Sequence, residues 1–307
     1  MEIRVLQYFL EVAEQENITK AAEVLHITQP ALSRQLANLE DELGKKLLIR
    51  GKQKTTLTEE GRLLQQRAQE INFLVHKAKE EIQSDNDRIS GPVCIGCAET
   101  RGMNLLLQLQ KEILLSHPNV CLHLYDGHEL DVTEKLDKGI LDFGVLTAPT
   151  HLNRYEYIRL PHKDRWGVLM RKDAPLATKK IITPGDLWHL PLILSRQAME
   201  SGDMAHVLQR DLSELHITGT YNLILNTALM VETGIGYAVS YEQLIPLGED
   251  SPLTFRPLSP APASNTYFIW KRHQLFSPAA RLLQQKLKEA VEALEYPMVN
   301  RPIGDRL

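Results

Sequence analysis

Apolar residues at helical spacing recur through the first 57 positions of the chain. Leu6, Phe9 and Leu10 open the first stripe, and a polar break follows at Asn17-Ile18-Thr19. Thr19 is placed to cap a second helix with its side-chain hydroxyl. The pattern therefore predicts short helices in this part of the chain.

A third helix is predicted after a tight turn. Thr28 is suited to cap it, Pro30 falls in its first turn, where a missing N–H costs nothing, and Gly44 ends it. Its apolar face is formed by leucines at positions 32, 36, 39 and 43. Two helices joined by a tight turn, the second with small and polar residues on its free face, are typical of a helix-turn-helix. Residues 47–56 then predict a short β-ribbon with a basic tip.

An apolar residue stands at every seventh position of residues 57–88, in two series offset by four. The two series are Leu57, Leu64, Ile71, Ala78 and Gly61, Ala68, Val75, Ile82. This narrow stripe predicts one long helix that pairs with a second copy as a coiled coil. The alternative is a surface helix packed on its own domain. Gly91-Pro92 marks the next boundary.

Strand and helix patterns alternate from Val93 onward, which predicts parallel sheets flanked by helices. The predicted strands are 93–98, 120–125, 142–146, 166–170, 192–194, 236–239 and 267–270. The predicted helices are 105–116, 130–138, 204–212, 226–233 and 278–294.

Length and composition narrow the class of protein. The 307 residues suggest about two domains, and 43% hydrophobic with 24% charged residues is ordinary for a globular chain. No apolar run is long enough for a membrane helix, and the first residues do not form a signal peptide, so a cytoplasmic location is expected. Three cysteines, an odd number, do not make a disulfide framework.

The charge is distributed unevenly. The net charge of −4 argues against indiscriminate nucleic-acid binding by the whole surface. Residues 28–57, however, carry six basic and three acidic side chains, whereas residues 1–27 carry two basic and five acidic ones. This polarity indicates a local anion-binding face around the third helix and the ribbon.

The chain resembles a LysR-type transcriptional regulator over essentially its whole length. Its strongest motif is Ala21-Ala22-x-x-Leu25-x-Ile27-Thr28-Gln29-Pro30-Ala31-Leu32-Ser33-x-Gln35-Leu36-x-x-Leu39-Glu40-x-x-Leu43-Gly44-x-x-Leu47, continued by Arg50 and Leu57-Thr58-x-x-Gly61. Weaker landmarks are Leu136-x-x-Gly139-x-Leu141-Asp142-x-Gly144 and Gly234-x-Gly236. The chain departs from the family pattern at Leu48, where phenylalanine is usual, and in residues 51–54, where a second arginine is common.

The resemblance implies an α/β protein with an N-terminal all-α winged helix-turn-helix, a long linker helix and a bilobal effector domain like a type-2 periplasmic-binding protein. The implied boundaries are 1–57 for the DNA-binding domain, 58–88 for the dimerising linker and 89–307 for the effector-binding domain. Lobe I spans about 89–161 and 267–307, lobe II about 162–266, and the crossovers fall near Arg159–His162 and Asn265–Phe268. A homotetramer, built as a dimer of dimers, is the assembly expected for the family.

Residues at the start of the third helix are placed to reach base edges in the major groove of double-stranded DNA. Basic residues of the ribbon are expected to contact phosphates, which position the protein without reading sequence. A solvated helix face is the alternative. The predicted DNA-binding residues are Thr28, Gln29, Pro30, Ser33, Arg34, Arg50, Lys52 and Lys54.

The effector pocket is expected between the lobes, at the carboxyl ends of strands. The resemblance and the strand ends place effector contacts at Thr100, Arg101, Gly127, His128, Thr147, Ser195, Arg196 and Asn226. Hydroxyls, an amide and a guanidinium suit a small organic carboxylate or similar anion. For each residue alone, a helix cap is the alternative.

The sequence indicates no catalytic residue, metal site or cofactor. Cys94 and Cys97, three apart in a strand, point to opposite faces, and buried structural cysteines, including Cys121, are favoured. The histidines lack zinc-ligand spacing. A ligand-responsive regulator is therefore preferred to a solute-binding protein, an enzyme on the same fold, or a chain whose helix-turn-helix only mediates assembly. RNA polymerase is a further candidate partner, and a membrane is not.

Overall fold

The computed structural model describes residues 1–51, 54–83 and 89–295. The chain divides between positions 84 and 85 into two compact units. Within the described ranges, no helix combines the length and the apolar character needed to cross a membrane. The N-terminal helix-turn-helix and the two-sheet α/β domain agree with the predicted fold class.

In its described residues, the first unit is built from four helices and a two-stranded ribbon. Its elements are α1 (Ile3–Gln15), α2 (Ile18–Val24), α3 (Gln29–Leu43), β1 (Leu48–Arg50), β2 (Thr55–Leu57) and α4 (Glu59–Gln83). The cap of α2 differs from the prediction: Asn17, not Thr19, supplies it. The extended backbone of Asn17 lets its Oδ1 accept hydrogen bonds from the backbone amides of Thr19 and Lys20, at 2.9 and 3.0 Å.

The core of this unit is the leucine face of α3 packed on Phe9 of α1. Leu32, Leu36 and Leu39 are fully buried, whereas Leu43, at the end of the stripe, is 40% exposed. The predicted ribbon is formed by β1 and β2 in antiparallel register, although β2 begins only at Thr55. The face of α3 opposite the leucines is therefore left free.

The two halves of the heptad stripe on α4 lie in different environments. Gly61 and Ala68 are buried inside the first unit, and Leu64 packs against its core. At Gly61 a side chain would meet the carbonyl oxygen of Leu47 at 2.2 Å, so the close approach of the helix requires glycine. Ile82 is 83% exposed. The first half of the stripe thus fits the alternative of packing on its own domain, and residues 84–88 lie outside the described ranges.

The second unit contains two five-stranded sheets, one in each lobe. The first sheet has the strand order β4 (Val120–Asp126), β3 (Gly91–Cys97), β5 (Phe143–Thr147), β12 (Ser264–Lys271), β6 (Tyr155–Asp164). The second has the order β11 (Leu253–Pro257), β7 (Trp166–Arg171), β10 (Tyr237–Tyr241), β8 (Leu192–Ser195), β9 (Ile217–Tyr221). The helices are α5 (Met103–Ser116), α6 (Glu129–Asp137), α7 (Arg196–Glu200), α8 (Asp203–Leu208), α9 (Ile224–Glu232) and α10 (Pro278–Glu295).

The prediction of parallel sheets is only partly correct, because both sheets also contain antiparallel strands. Strands β3, β4 and β5 run parallel, but β12 is antiparallel to both β5 and β6. In the second sheet β7 is antiparallel to both β10 and β11. The antiparallel strands adjoin the two crossings between the lobes, where the chain enters a sheet without a preceding βαβ connection.

The two crossover strands are paired with each other. The predicted crossings at 159–162 and 265–268 fall inside β6 and β12, and Ser264 stands opposite Asp164 at the end of this ladder. The chain then passes through Arg165 into β7 of the second sheet. In the first lobe, Phe143 and Phe268 stack with ring centroids 4.5 Å apart, and α10 closes the same core.

Candidate nucleic-acid interface and ligand cleft

The start of α3 presents its polar residues to solvent. Thr28, Gln29, Pro30 and Arg34 are exposed, and Ser33 is half-buried. Gln29 Nε2 donates a hydrogen bond to Ser33 Oγ at 2.8 Å, which holds these two side chains on one face of the helix. The backbone of Thr28 adopts the extended cap geometry, but its side chain makes no capping hydrogen bond, contrary to the prediction. Its hydroxyl is therefore available to a phosphate.

The wing is the ribbon formed by β1, β2 and the residues between them. Its described basic residues, Arg50 and Lys54, differ in their surroundings. Arg50 is exposed at the end of β1. Lys54 is also exposed, but its Nζ lies 2.6 Å from Oε2 of Glu16, so a phosphate would have to compete with this carboxylate. Lys52 lies outside the described residues.

Glu40 of α3 connects that helix to the wing, a role that the sequence analysis did not predict. Its buried Oε1 accepts hydrogen bonds from the backbone amides of Leu47 and Leu48, at 2.8 and 3.2 Å, and Lys46 Nζ lies 2.9 Å from Oε2. Burial alone would raise the pKa of Glu40, but the bonds from Lys46 and the two amides lower that pKa below its ordinary value. An acidic residue beside Leu39 on a leucine face was the available signal.

A cleft lies between the two lobes of the second unit. Four of the predicted effector residues line it: Gly127, His128, Thr147 and Ser195. These residues follow or end strands of both sheets, as expected for a site at the carboxyl edges of strands.

The other four predicted residues lie elsewhere. Thr100 is buried, and its hydroxyl donates to Asp164 Oδ2 at 2.6 Å, so it is consumed inside the first lobe. Arg101 lines a neighbouring cavity. Arg196 and Asn226 are exposed and do not belong to the described lining of the cleft. Neither of the predicted guanidinium groups therefore faces the cleft.

Sequence reasoning missed the acidic and aromatic members of the lining. They are Glu99, Trp166, Asp203, Tyr221 and Tyr241. Glu99 directly precedes Thr100 in the turn after β3. Its Oε2 accepts a hydrogen bond from the backbone amide of Ile224, 2.7 Å away. Burial, together with the nearby charge of Asp126, raises the pKa of Glu99 against the lowering effect of that bond.

Two family models match the chain along both units. Residues 3–62 match the bacterial regulatory helix-turn-helix protein of the lysR family, and residues 86–292 match the LysR substrate binding domain. The chain belongs to the LysR family. The relatives of this LysR-family protein are named as transcriptional regulators, a non-enzymatic role that it shares.

Three comparisons cover most of this LysR-family regulator. It is 30% identical to the Hca operon transcriptional activator HcaR of Escherichia coli, over 94% of this chain and 98% of that protein. It is 31% identical to the uncharacterized HTH-type transcriptional regulator YvbU of Bacillus subtilis, over 79% of this chain and 82% of that protein. Full-length CbnR, solved with its target DNA, has the same fold, with a TM-score of 0.75 at 19% identity over 94% of this chain and all of CbnR.

The cysteines of this LysR-family regulator do not form a reactive pair. Burial and the carboxylate of Asp126, 3.3 Å from Cys97 Sγ, raise the pKa of Cys97 to about 12, so the thiol stays protonated near neutral pH. Cys94 is buried as expected, but Cys121 is exposed, contrary to the prediction. No group of His, Cys, Asp and Glu in the described ranges could hold a metal ion.

Proposed function

We propose that this DNA-binding transcriptional regulator reads its operator with Gln29, Ser33 and Arg34 and changes its DNA occupancy when a small molecule enters the cleft between the lobes. The observation that carries the proposal is the cleft itself, because residues from both lobes line it. A ligand that contacts both lobes binds one lobe arrangement better than another and shifts the equilibrium between them. The regulator acts in the cytoplasm, where the operator DNA lies.

The DNA half of the proposal rests on the exposed polar start of α3. Arg34 is long enough to reach guanine, the hydroxyl of Thr28 is free to bind a phosphate, and Pro30 leaves room for close approach. Arg50, Lys52 and Lys54 contribute phosphate contacts from the wing. Two such units, joined through the exposed end of α4, read two half-sites, and a dimer of dimers forms the complete regulator.

Selection of bound sites from sheared genomic DNA, followed by gel-shift titration, tests the DNA half. Arg34→Ala should lower affinity for the best site by about 1–3 kcal/mol and relax the preference at one base position. Lys111→Ala removes an exposed positive charge from α5 of the second unit and should change neither quantity. Unchanged affinity and preference in Arg34→Ala would remove Arg34 from the interface.

The ligand half is tested with a reporter gene placed behind the selected operator. Asn222 is exposed at the cleft, whereas Asn226 is exposed nearby and outside its lining. Asn222→Trp should abolish the response of the reporter to growth conditions because the indole fills the cleft, and Asn226→Trp should preserve it. A full response in Asn222→Trp would show that the cleft is not the effector site.

A further inference from the structure

Two carboxylate side chains line the cleft, one from each lobe. Among the described residues that line it, none is lysine or arginine, while Glu99 comes from the first lobe and Asp203 from the second. His128 is the remaining basic group, and its Nδ1 lies 2.8 Å from Oδ2 of Asp131, so a carboxylate of the protein already neutralises any charge it carries. An anion placed here would meet like charge from both lobes.

One of the backbone positions at the cleft that would attract an anion is already filled. The first amide of α9, at Ile224, donates to Glu99 Oε2 at 2.7 Å. Helix N-termini bind anions because their first amides have no partner within the helix. Here a carboxylate of the protein occupies that position, so an anionic ligand bound at the start of α9 would have to displace Glu99 from a hydrogen bond between the lobes.

Aromatic rings form part of the wall. Trp166 and Tyr241 lie with ring centroids 4.2 Å apart, and Tyr221 also lines the cleft. The hydroxyl groups of both tyrosines are bonded inside the protein, Tyr241 to Ser264 Oγ at 2.9 Å and Tyr221 to the carbonyl of Val239 at 2.8 Å. The rings are therefore left to contact a ligand through their carbon atoms, and aromatic groups next to carboxylates attract organic cations.

We propose that the effector of this regulator is a small organic cation with an apolar or aromatic body, such as a primary or quaternary amine. Its ammonium group pairs with Glu99 and Asp203, and its body packs on the rings of the two tyrosines. The proposal rests on the proposed function, which makes the cleft the effector site, and it replaces the anionic effector expected from the sequence.

Calorimetric titration of the full chain with matched probes tests the charge of the ligand. Each set holds an amine, an alcohol and a carboxylate on one body: benzyl, 2-phenylethyl, cyclohexyl and hexyl. The amine should bind most tightly in every set that binds. Glu99→Gln and Asp203→Asn keep a hydrogen-bond acceptor while removing charge, and each should weaken amine binding about tenfold. Glu156→Gln removes the same charge from an exposed site in β6 and should have no effect.

The pH dependence gives a second readout. A bound cation favours the ionised form of Glu99, whose pKa in the free protein is raised. Amine binding should therefore strengthen as the pH rises above 4.5, the ordinary pKa of this carboxyl group, while the amines stay charged, and Glu99→Gln should flatten this dependence.

Two results would overturn the cation assignment: a carboxylate binding more tightly than its matched amine, or no amine binding in any set. A carboxylate whose binding is lost in Asn222→Trp would leave the cleft as the effector site and refute only the charge. Amine binding that survives Asn222→Trp, with an unaltered reporter response, would instead refute the proposed function.

Discussion

The hydroxyl group of Thr100 donates a hydrogen bond to the carboxylate of Asp164, with the two oxygen atoms 2.6 Å apart. Thr266 of β12 donates to the same Oδ2 at 2.9 Å, and His162 Nε2 lies 3.1 Å from Oδ1. Asp164 is almost completely buried at the point where β6 leaves the first sheet. Hydrogen bonds thus connect the turn after β3 to both crossover strands, β6 and β12.

Replacing Thr100 with valine should destabilise the second unit by about 1–3 kcal/mol, because a buried carboxylate loses one of its donors. Urea denaturation of the full chain, followed by tryptophan fluorescence, measures the change, since all three tryptophans belong to the second unit. Thr233→Val removes an exposed hydroxyl that bonds only to the carbonyl of Met230, and should cost much less. Equal stability of Thr100→Val and wild type would contradict a structural role for this hydroxyl.

Glu40→Gln should loosen the wing on α3. The lowered pKa of Glu40 means that its ionised form stabilises the fold above its ordinary pKa of 4.5, and this stability is lost as the pH falls through the lower folded value. The variant should lose about 1–3 kcal/mol near neutral pH and show less acid sensitivity. The hydrogen-exchange rates of the backbone amides of Leu47 and Leu48 measure how firmly the wing is held on α3. Glu14→Gln, on the exposed face of α1, is the control. Unaltered exchange in Glu40→Gln would refute the tie.

Arg50 and Lys54 should differ in their contribution to DNA binding. Arg50→Ala should weaken binding to all sequences alike and reduce the slope of log K against log salt by about one. Lys54→Ala should have a smaller effect, because Lys54 already pairs with Glu16 at 2.6 Å. Glu16→Gln should strengthen binding by freeing Lys54. Gel shifts over a salt series measure these slopes, and equal effects of the two alanine variants would contradict the ranking.

Two positions of the heptad stripe should respond in opposite ways. Ile82→Glu should dissociate the oligomer without unfolding the first unit, because Ile82 is 83% exposed in the single chain. Ala68→Glu should instead unfold that unit, because Ala68 is fully buried in it. Sedimentation equilibrium and circular dichroism separate the two outcomes. Wild-type oligomers that persist unchanged in Ile82→Glu would place the interface elsewhere.

The cysteines should differ in reactivity. Cys121 is exposed, whereas burial and Asp126 raise the pKa of Cys97 to about 12. Near pH 8, iodoacetamide should therefore alkylate Cys121 first and reach Cys97 only after the protein unfolds, because the thiolate is the attacking species. Peptide mass spectrometry after timed labelling shows the order. Rapid alkylation of Cys97 in the folded protein would contradict its assignment as an inert thiol.

Local patterns were sufficient where the signal lies within a few residues. The leucines of α3 and Gly44 predicted that helix and its end, and the alternating apolar segments predicted most strands of both sheets. The long-range arrangement was not predictable in this way. The directions of β6, β11 and β12 depend on where the chain crosses between lobes, and β9 and β11 gave no recognisable pattern.

The cleft between the lobes shows the same limit of sequence-based prediction. Thr100 and Glu99 are adjacent after β3, and the sequence analysis predicted that the hydroxyl of Thr100, not the carboxylate of Glu99, would line the cleft. Which of them faces the cleft depends on Asp164 and Ile224, partners far along the chain. The acidic character of the cleft likewise arises because Asp203 joins the lining from the second lobe, while Arg101 and Arg196 do not.

The pairing of β6 with β12 limits how the two lobes can move. The ladder runs from Asp164 opposite Ser264 to Tyr155 opposite Lys271, so sliding one crossing past the other would break a row of backbone hydrogen bonds. Twisting the ribbon breaks none of them. Under the proposed function, a ligand that changes the arrangement of the lobes would therefore twist this strand pair rather than slide its two strands past each other.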